Sequence, residues 1–267
     1  TSSITIKGDD STISRAPGPP YGTTPDFRFF FVTGEGWLTL NDVTVTNGSD
    51  LDIGSYEGGG AIYNDHGRVT IRNSSLTLNA AESEGGAIYN LSGTVVVNDN
   101  SLLKWNDARN GGAILSYGSE GSVTVNNSIF ELNDAMSLSS TDTFGGKGGA
   151  IAASGSLIAL EEVQFLANDA KGGGAIHISN QGVLEASGCT FTDNRATFGG
   201  GVYIMIGTGY IEDSHFESNS AMFGGGLGTA SEAEVGIVNS VFEGNEATWV
   251  VGDTHDGGGI YNGGELE

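Results

Sequence analysis

The hexapeptide GGAIYN occupies residues 59–64, and the same six letters return at residues 85–90. Echoes of it continue to the end of the chain, where GGGIYN occupies residues 257–262. The small residue after the paired glycines recurs at spacings of 26, 26, 37, 25, 26, 25 and 33, at Ala61, Ala87, Ala113, Ala150, Ala175, Gly201, Gly226 and Gly259. A period near 25 to 26 residues that survives two insertions indicates a repeat architecture.

A second motif, F-x-x-N, keeps the same period. It reads FELN, FLAN, FTDN, FESN and FEGN at residues 130–133, 165–168, 191–194, 216–219 and 242–245, and LTLN and LKWN occupy the same place at 76–79 and 103–106. Between the motifs, apolar and polar residues alternate, as in VTVNNSIF at 123–130. Such alternation, rich in β-branched residues and broken by glycine, predicts short strands and tight turns.

A unit of this length has no room for a core of its own, so neighbouring units must stack as parallel rungs about 4.8 Å apart. The sequence therefore predicts an all-β fold, a right-handed single-stranded parallel β-helix of roughly ten rungs. The isoleucine column that follows the glycines and the phenylalanine column should point inward. The asparagine of F-x-x-N should take the left-handed bend at a turn and form a hydrogen-bonded ladder. Cys189 falls in a column of serines and is interpreted as a small ladder residue.

Composition narrows the partners. The chain carries 33 acidic and 10 basic residues, for a net charge of −23, which disfavours nucleic acid and direct membrane insertion. The single cysteine excludes an internal disulfide framework. The histidines lie in four different columns, and neither a catalytic triad order nor a metalloprotease motif is present.

The GGA-I and F-x-x-N motifs resemble the repeats of the chlamydial polymorphic outer-membrane proteins and of other bacterial β-helix surface proteins that share them. The resemblance covers essentially the whole chain. It implies a parallel β-helix at the cell surface or outside the cell, of the kind found in adhesins and autotransporter passengers. Because the motif residues build the coil, the resemblance leaves the activity undetermined.

The whole chain, 1–267, is predicted to form one β-helix domain, a segment of a longer chain. Its loop insertions fall at 48–58, 136–147 and 248–257, and counting from the turn asparagine places all three at one corner. The terminal rungs have no capping helix, so the alternative to a segment is head-to-tail stacking of copies.

The insertion corner is the predicted binding surface, because loops on rigid scaffolds commonly carry function. Its candidate binding residues are Tyr56, Phe144, Phe198, Phe223, Trp249, Asp253 and His255. Phe198, Phe223 and Trp249 should line up as an aromatic stripe, or else pack beneath the loops. Ca²⁺ is a weak candidate for the 253–256 loop, since two carboxylates and one histidine supply few of its six to eight ligands. No other cofactor and no catalytic residue are predicted.

Two function classes remain. The first is a non-catalytic surface module that binds a glycan, a surface protein or another copy of itself. The second is a carbohydrate-active enzyme, a polysaccharide lyase or a glycoside hydrolase, whose site the sequence does not reveal. A groove lined by at least two carboxylates within about 10 Å would favour a hydrolase.

Overall fold

Each repeat unit folds into one rung of a parallel β-helix with three sheets and a short corner. The computed structural model describes residues 2–15, 26–51, 58–135, 146–248 and 257–263. Over these ranges the regular structure is entirely β, and no helix there has the length and apolarity needed to span a membrane. All strand pairings between rungs are parallel, and each sheet contains nine levels among the described residues, close to the predicted number of rungs.

The GGA sheet consists of the strands that follow the paired glycines. It is formed by Phe30–Thr33, Ile62–Asp65, Ile88–Leu91, Ile114–Tyr117, Ile151–Ser154, Ile176–Ser179, the first parts of Val202–Glu212 and Leu227–Val238, and Ile260–Asn262. Register is kept from unit to unit, so that Ile62 pairs with Ile88 and Ile88 with Ile114. The two identical hexapeptides therefore lie one above the other.

The middle sheet comes next along each unit. It is formed by the first parts of Ser3–Ser14 and Trp37–Thr46, then Arg68–Arg72, Thr94–Asn98, Ser122–Asn126, Leu157–Glu161 and Gly182–Ser187, and the later parts of Val202–Glu212 and Leu227–Val238. Buried and more exposed residues alternate along these strands, as the period-two pattern predicts.

The Phe sheet carries the phenylalanine column, and short pairs of residues form the corner after it. The Phe sheet comprises the later parts of Ser3–Ser14 and Trp37–Thr46, with Ser75–Thr77, Leu102–Lys104, Ile129–Glu131, Gln164–Leu166, Thr190–Thr192, His215–Glu217 and Val241–Glu243. The corner strands are Ser49–Asp50, Ala80–Ala81, Asp134–Ala135, Asp169–Ala170, Ser220–Ala221 and Glu246–Ala247.

The core is a set of continuous columns, as predicted. The rings of Phe165, Phe191 and Phe216 are fully buried and stack with centroids 5.0 and 4.4 Å apart. The aliphatic column after the glycines is buried from Ile62 to Leu227, and its last member, Ile260, is exposed at the terminal rung. Cys189 is fully buried, and its backbone N–H donates to Ser214 Oγ at 3.1 Å, which confirms its place in the serine ladder.

The asparagines of F-x-x-N form the predicted ladder. Asn133 Nδ2 donates to Asn168 Oδ1 at 3.0 Å, and Asn168 Nδ2 donates in turn to Asn194 Oδ1 at 3.0 Å. Each amide also bonds to backbone, as when Asn168 Nδ2 donates to the Phe130 carbonyl at 3.0 Å. Because every rung supplies one acceptor and one donor, buried polar groups are paired along the stack.

One detail of that prediction is wrong. The ladder asparagines do not take the left-handed bend; the residue before each of them does, with φ values of 54° at Trp105 and 51° at Ala167. The turn must bend one residue earlier so that the asparagine side chain points into the stack. Asn47, which was counted as a ladder member, occupies the bend position with φ 61°, and Gly48 behind it donates its N–H to Asn79 Oδ1 at 2.9 Å.

The GGAIYN motif is explained by packing between rungs. Gly85 has a φ of 59°, which suits glycine, and a Cβ on Gly86 would lie 2.2 Å from the Gly112 carbonyl oxygen. The final asparagine also points inward: Asn64 Nδ2 donates to Asn90 Oδ1 at 2.7 Å. The motif thus supplies a bend, a close backbone approach, a core isoleucine and a second buried amide ladder.

Candidate functional site

The outward face of the GGA sheet carries an aromatic column that is interrupted. Phe31, Tyr63 and Tyr89 stack on consecutive rungs with centroids 5.0 and 5.1 Å apart. The next two positions in register are Leu115 and Ala152. The column resumes at His177 and Tyr203, whose rings lie 5.5 Å apart. The two small residues therefore leave a gap between aromatic side chains.

A row of residues from the corner flanks this column. Isolated parallel bridges connect, in order, Glu84, Asn110, Lys147, Gly172, Phe198 and Phe223. The row returns the chain toward the paired glycines, so its side chains stand beside the outward column of the GGA sheet. Its first three members are polar, Gly172 has no side chain, and the last two are aromatic.

The gap and the polar part of the row form a concave site, which we call the GGA cleft. It has a volume of about 280 Å³. Its lining includes Glu84, Tyr89, Asn110, Leu115, Tyr117, Lys147, Ala152, Ser154, His177, Ser179 and Asn180. Two tyrosines, several hydroxyl and amide groups and one lysine thus converge on a single depression.

His177 is the buried polar group of the cleft. Its side chain is 3% exposed, and neither ring nitrogen has a hydrogen-bond partner among the described residues. Burial, with a smaller contribution from the charge of Lys147, lowers the pKa of His177 to about 3. The imidazole is therefore neutral at pH 7. Gly172 makes room for it, because a Cβ there would lie 3.0 Å from His177 Nδ1.

The charged groups of the cleft are unevenly paired. Asn110 Nδ2 donates to Glu84 Oε1 at 3.2 Å. Burial raises the pKa of Glu84, and this amide together with Lys147 and Arg109 opposes the rise. Within the described ranges, no carboxylate lies at salt-bridge distance from Lys147. The ammonium of Lys147 is thus available to an incoming acceptor. Burial also raises the pKa of the Tyr89 phenol, which keeps its hydroxyl protonated.

Phe198 and Phe223, two of the residues predicted for binding, lie directly beyond the cleft. Their rings stack with centroids 5.3 Å apart and planes 12° apart. Phe198 also stacks on Tyr203 at 5.4 Å, and Phe223 contacts Tyr261 at 5.2 Å. Phe198 is 38% exposed and Phe223 is half-buried. These four residues form what we call the aromatic patch, which packs on one side and faces solvent on the other.

The other predicted binding residues, Tyr56, Phe144, Trp249, Asp253 and His255, lie outside the described residues, as does the loop considered for Ca²⁺. The residues that precede these undescribed segments belong to the same corner row, since Asp50 pairs with Ala81 and Ala135 pairs with Ala170. In the part of the chain that the structure describes, no group of three or more His, Cys, Asp or Glu side chains is placed to hold a metal.

A second concave surface lies on the middle sheet. This trough of about 540 Å³ is lined by Glu161, Glu185, Tyr210 and Glu212, together with small and polar residues of neighbouring strands. The Tyr210 hydroxyl donates to Glu212 Oε2 at 3.3 Å. The trough is an acidic, open surface without the enclosed depression that the GGA cleft provides.

Sequence reasoning found Phe198 and Phe223 but not the cleft. The outward row containing Tyr63, Tyr89, His177, Tyr203 and Tyr261 was noticed, and its gaps were taken as evidence against a binding strip. The structure shows that two of those gaps make the depression, and that His177 is buried and not facing solvent. The available signal was two small residues between aromatic neighbours in one column.

Comparison with known proteins supports the repeat. The Chlamydia polymorphic membrane protein repeat matches residues 239–263, which contain FEGN and GGGIYN. No curated protein and no solved structure shows a significant match to the chain. Residues 239–263 thus form a chlamydial polymorphic membrane protein repeat, in a chain whose other units carry the same motifs and stack as one parallel β-helix.

Proposed function

We propose that the chain is a non-catalytic module of a bacterial cell surface, adhesin-like or passenger-like, that binds a glycan on its GGA sheet. The GGA cleft would receive one sugar ring, and the aromatic patch would receive the neighbouring rings. The matched repeat, which is that of membrane proteins, supports the surface location. The large negative charge favours neutral or singly charged glycans over polyanions.

The interrupted aromatic column carries this proposal. A volume of about 280 Å³ is slightly below the roughly 300–1,000 Å³ of pockets that enclose drug-sized ligands, so it suits a single ring. Tyr89 and Tyr117 offer apolar faces with polar tips, as sugar binding requires. Lys147, Asn110 and Asn180 supply donors for hydroxyl or carboxylate oxygens. Parallel rungs hold these groups on a rigid frame.

A glycan array tests the proposal directly. The wild-type chain should retain a restricted set of glycans, and the signal should fall for the double variant Phe198→Ala/Phe223→Ala, which removes the stacking surface. Trp37→Ala is the matched control, because Trp37 is an exposed aromatic residue on the middle sheet. Retention of no glycan by the wild-type chain, with or without Ca²⁺, would remove the proposal.

A carbohydrate-active enzyme is the second candidate, favoured by the middle-sheet trough. Glu161 and Glu212 stand two rungs apart in one column, about 9 to 10 Å by rung spacing. An inverting glycosidase separates its two carboxyl groups by about 6.5–9.5 Å. Incubation with oligosaccharides should release reducing ends if this candidate is correct, and Glu161→Gln/Glu212→Gln should abolish the release. Intact oligosaccharides after prolonged incubation with the wild-type chain would exclude it.

A further inference from the structure

The outward face of the middle sheet is segregated by charge along the helix axis. Three columns of side chains leave this face, one rung above the next. The first column is Ser3, Trp37, Arg68, Thr94, Ser122, Leu157, Val183, Thr208 and Glu234; the second is Thr5, Thr39, Thr70, Val96, Thr124, Ala159, Glu185, Tyr210 and Gly236; the third is Lys7, Asn41, Arg72, Asn98, Asn126, Glu161, Ser187, Glu212 and Val238.

The first three rungs of these columns are basic. They contain Lys7, Arg68 and Arg72, three of the ten Lys and Arg residues of the chain, and no carboxylate. Arg68 lies over the Trp37 ring at 6.0 Å, and no acidic group of the described residues is within salt-bridge distance of the three cations. The nearby carboxylates of Asp9 and Asp10 follow in the irregular segment between the middle and Phe sheets.

The last four rungs of the same columns are acidic. Glu161, Glu185, Glu212 and Glu234 occupy them, with no lysine or arginine. The two rungs between the halves are neutral, and carry Thr94, Val96 and Asn98, then Ser122, Thr124 and Asn126. In a chain with a net charge of −23, a wholly basic third of one face is an unusual concentration of positive charge.

We propose that this face binds a second copy of the chain, with the two helix axes antiparallel. A twofold axis that runs along the fifth rung, parallel to its strand, reverses the order of the rungs and keeps each column opposite itself. The first rung then faces the ninth, and the third faces the seventh. Basic and acidic halves meet twice, once at each end of the pair.

The register makes this match specific. Arg68 and Arg72 flank Thr70 in the third rung, and the residue opposite Thr70 is Glu185 of the seventh. Asn41 faces Glu212, and Thr39 faces Tyr210. The rungs beside the axis place Val96 against Ala159 and Thr94 against Leu157, so small and apolar side chains allow close approach. Thr124 lies on the axis and faces the same residue of the second copy.

The size of the face sets the strength of the pairing. Nine rungs by five residues measure about 40 by 15 Å, or roughly 600 Å² per copy. The total of roughly 1,200 Å² is at the lower end of specific protein interfaces. The pair should therefore be reversible, and screening of its charges should weaken it as salt increases. The GGA cleft lies on a different sheet and stays accessible in the pair.

A charge exchange tests the pairing. Sedimentation velocity of the wild-type chain at about 100 µM in low salt should show a dimer that dissociates at 0.5 M NaCl. Arg68→Glu/Arg72→Glu should self-associate at least tenfold more weakly, because both halves become acidic. Glu161→Arg/Glu185→Arg should behave likewise with the opposite charge. An equimolar mixture of the two variants should restore the dimer, although its total charge equals that of two wild-type copies.

A cysteine at the axis tests the geometry. Thr124→Cys should form an intermolecular disulfide under mild oxidation, while the fully buried Cys189 stays reduced. Thr5→Cys, in the same column on the first rung, is the matched control and should not link to itself. A wild-type chain that stays monomeric at all concentrations, a mixture that fails to dimerise, or open-ended assemblies without the Thr124→Cys link would each overturn the proposal.

Discussion

At the scale of single residues, position in a column decides what a side chain does. Phe191 and Phe198 are seven residues apart in the same unit, yet the first is fully buried between two stacked rings and the second is 38% exposed. The same aromatic group thus stabilises the core at one position and is free to meet a ligand at the other.

We predict that Phe191→Ala lowers the free energy of unfolding by about 3 to 5 kcal/mol, because it opens a cavity in a continuous column. Phe198→Ala should cost far less, since that ring keeps much of its exposure in the native state. Urea denaturation followed by circular dichroism measures both. Equal losses of stability would contradict the assignment of inside and outside.

His177 should make stability depend on pH. Its folded pKa, about 3, lies below its ordinary value of 6.5, so the neutral ring stabilises the fold fully above pH 6.5 and progressively less as pH falls toward 3. Between pH 6.5 and 5 this loss amounts to about 2 kcal/mol. Buried carboxyls with raised pKa, such as Glu84, act in the opposite direction.

The variant His177→Gln isolates this effect, because glutamine stays neutral. Thermal unfolding midpoints measured from pH 7 to pH 5 should fall more steeply for the wild-type chain than for the variant. Parallel pH profiles for the two proteins would show that His177 is solvated or paired in solution.

At the scale of the element, each rung repeats one strand, turn and corner pattern, and the turn carries backbone strain. The residue before each ladder asparagine is left-handed, and in successive units it is Leu78, Trp105, Leu132, Ala167, Asp193, Ser218 and Gly244. A left-handed conformation costs an L-residue roughly 1–2 kcal/mol relative to glycine. The ladder hydrogen bonds offset this strain.

We therefore predict that Ala167→Gly stabilises the chain by up to about 1 kcal/mol, because glycine adopts φ 51° without strain and its greater freedom when unfolded only partly offsets the gain. Ala159→Gly is the matched control: it lies within a regular strand and should destabilise by about 0.5–1 kcal/mol. Chemical denaturation of both variants gives the comparison, and a loss of stability in Ala167→Gly would contradict the strain argument.

The rung also shows how far sequence reasoning reaches. Spacing predicted the columns of Ile88, Phe191 and Asn168 because each recurs with the period, and a stack must place equivalent residues above one another. It did not predict which residue of the turn bends, since side-chain identity varies there from Leu78 to Gly244. The inward asparagine of GGAIYN was also missed, because hydrophobic patterning does not distinguish a buried amide from an exposed one.

At the scale of the whole molecule, the three sheets divide the surface between different uses. The Phe sheet supplies the stacked core rings, the GGA sheet presents the cleft and the aromatic patch, and the middle sheet presents a charge-segregated face. The cleft could not be derived from the repeat, because it depends on where two units depart from it, at Leu115 and Ala152. Repetition predicted the scaffold, and departures from repetition made the candidate site.

The measurement that tests the central claim most directly is the dissociation constant of the glycan selected on the array for the variant Ala152→Tyr. Tyrosine occupies this register position at Tyr89 and Tyr203, so the scaffold should accept it, and the new ring would fill the cleft. Ala159→Tyr, on the outward face of the middle sheet, adds the same ring away from the cleft. Titration calorimetry should show at least tenfold weaker binding for Ala152→Tyr and unchanged binding for Ala159→Tyr. Equal affinity of Ala152→Tyr and the wild-type chain would contradict the assignment of the GGA cleft as the glycan site.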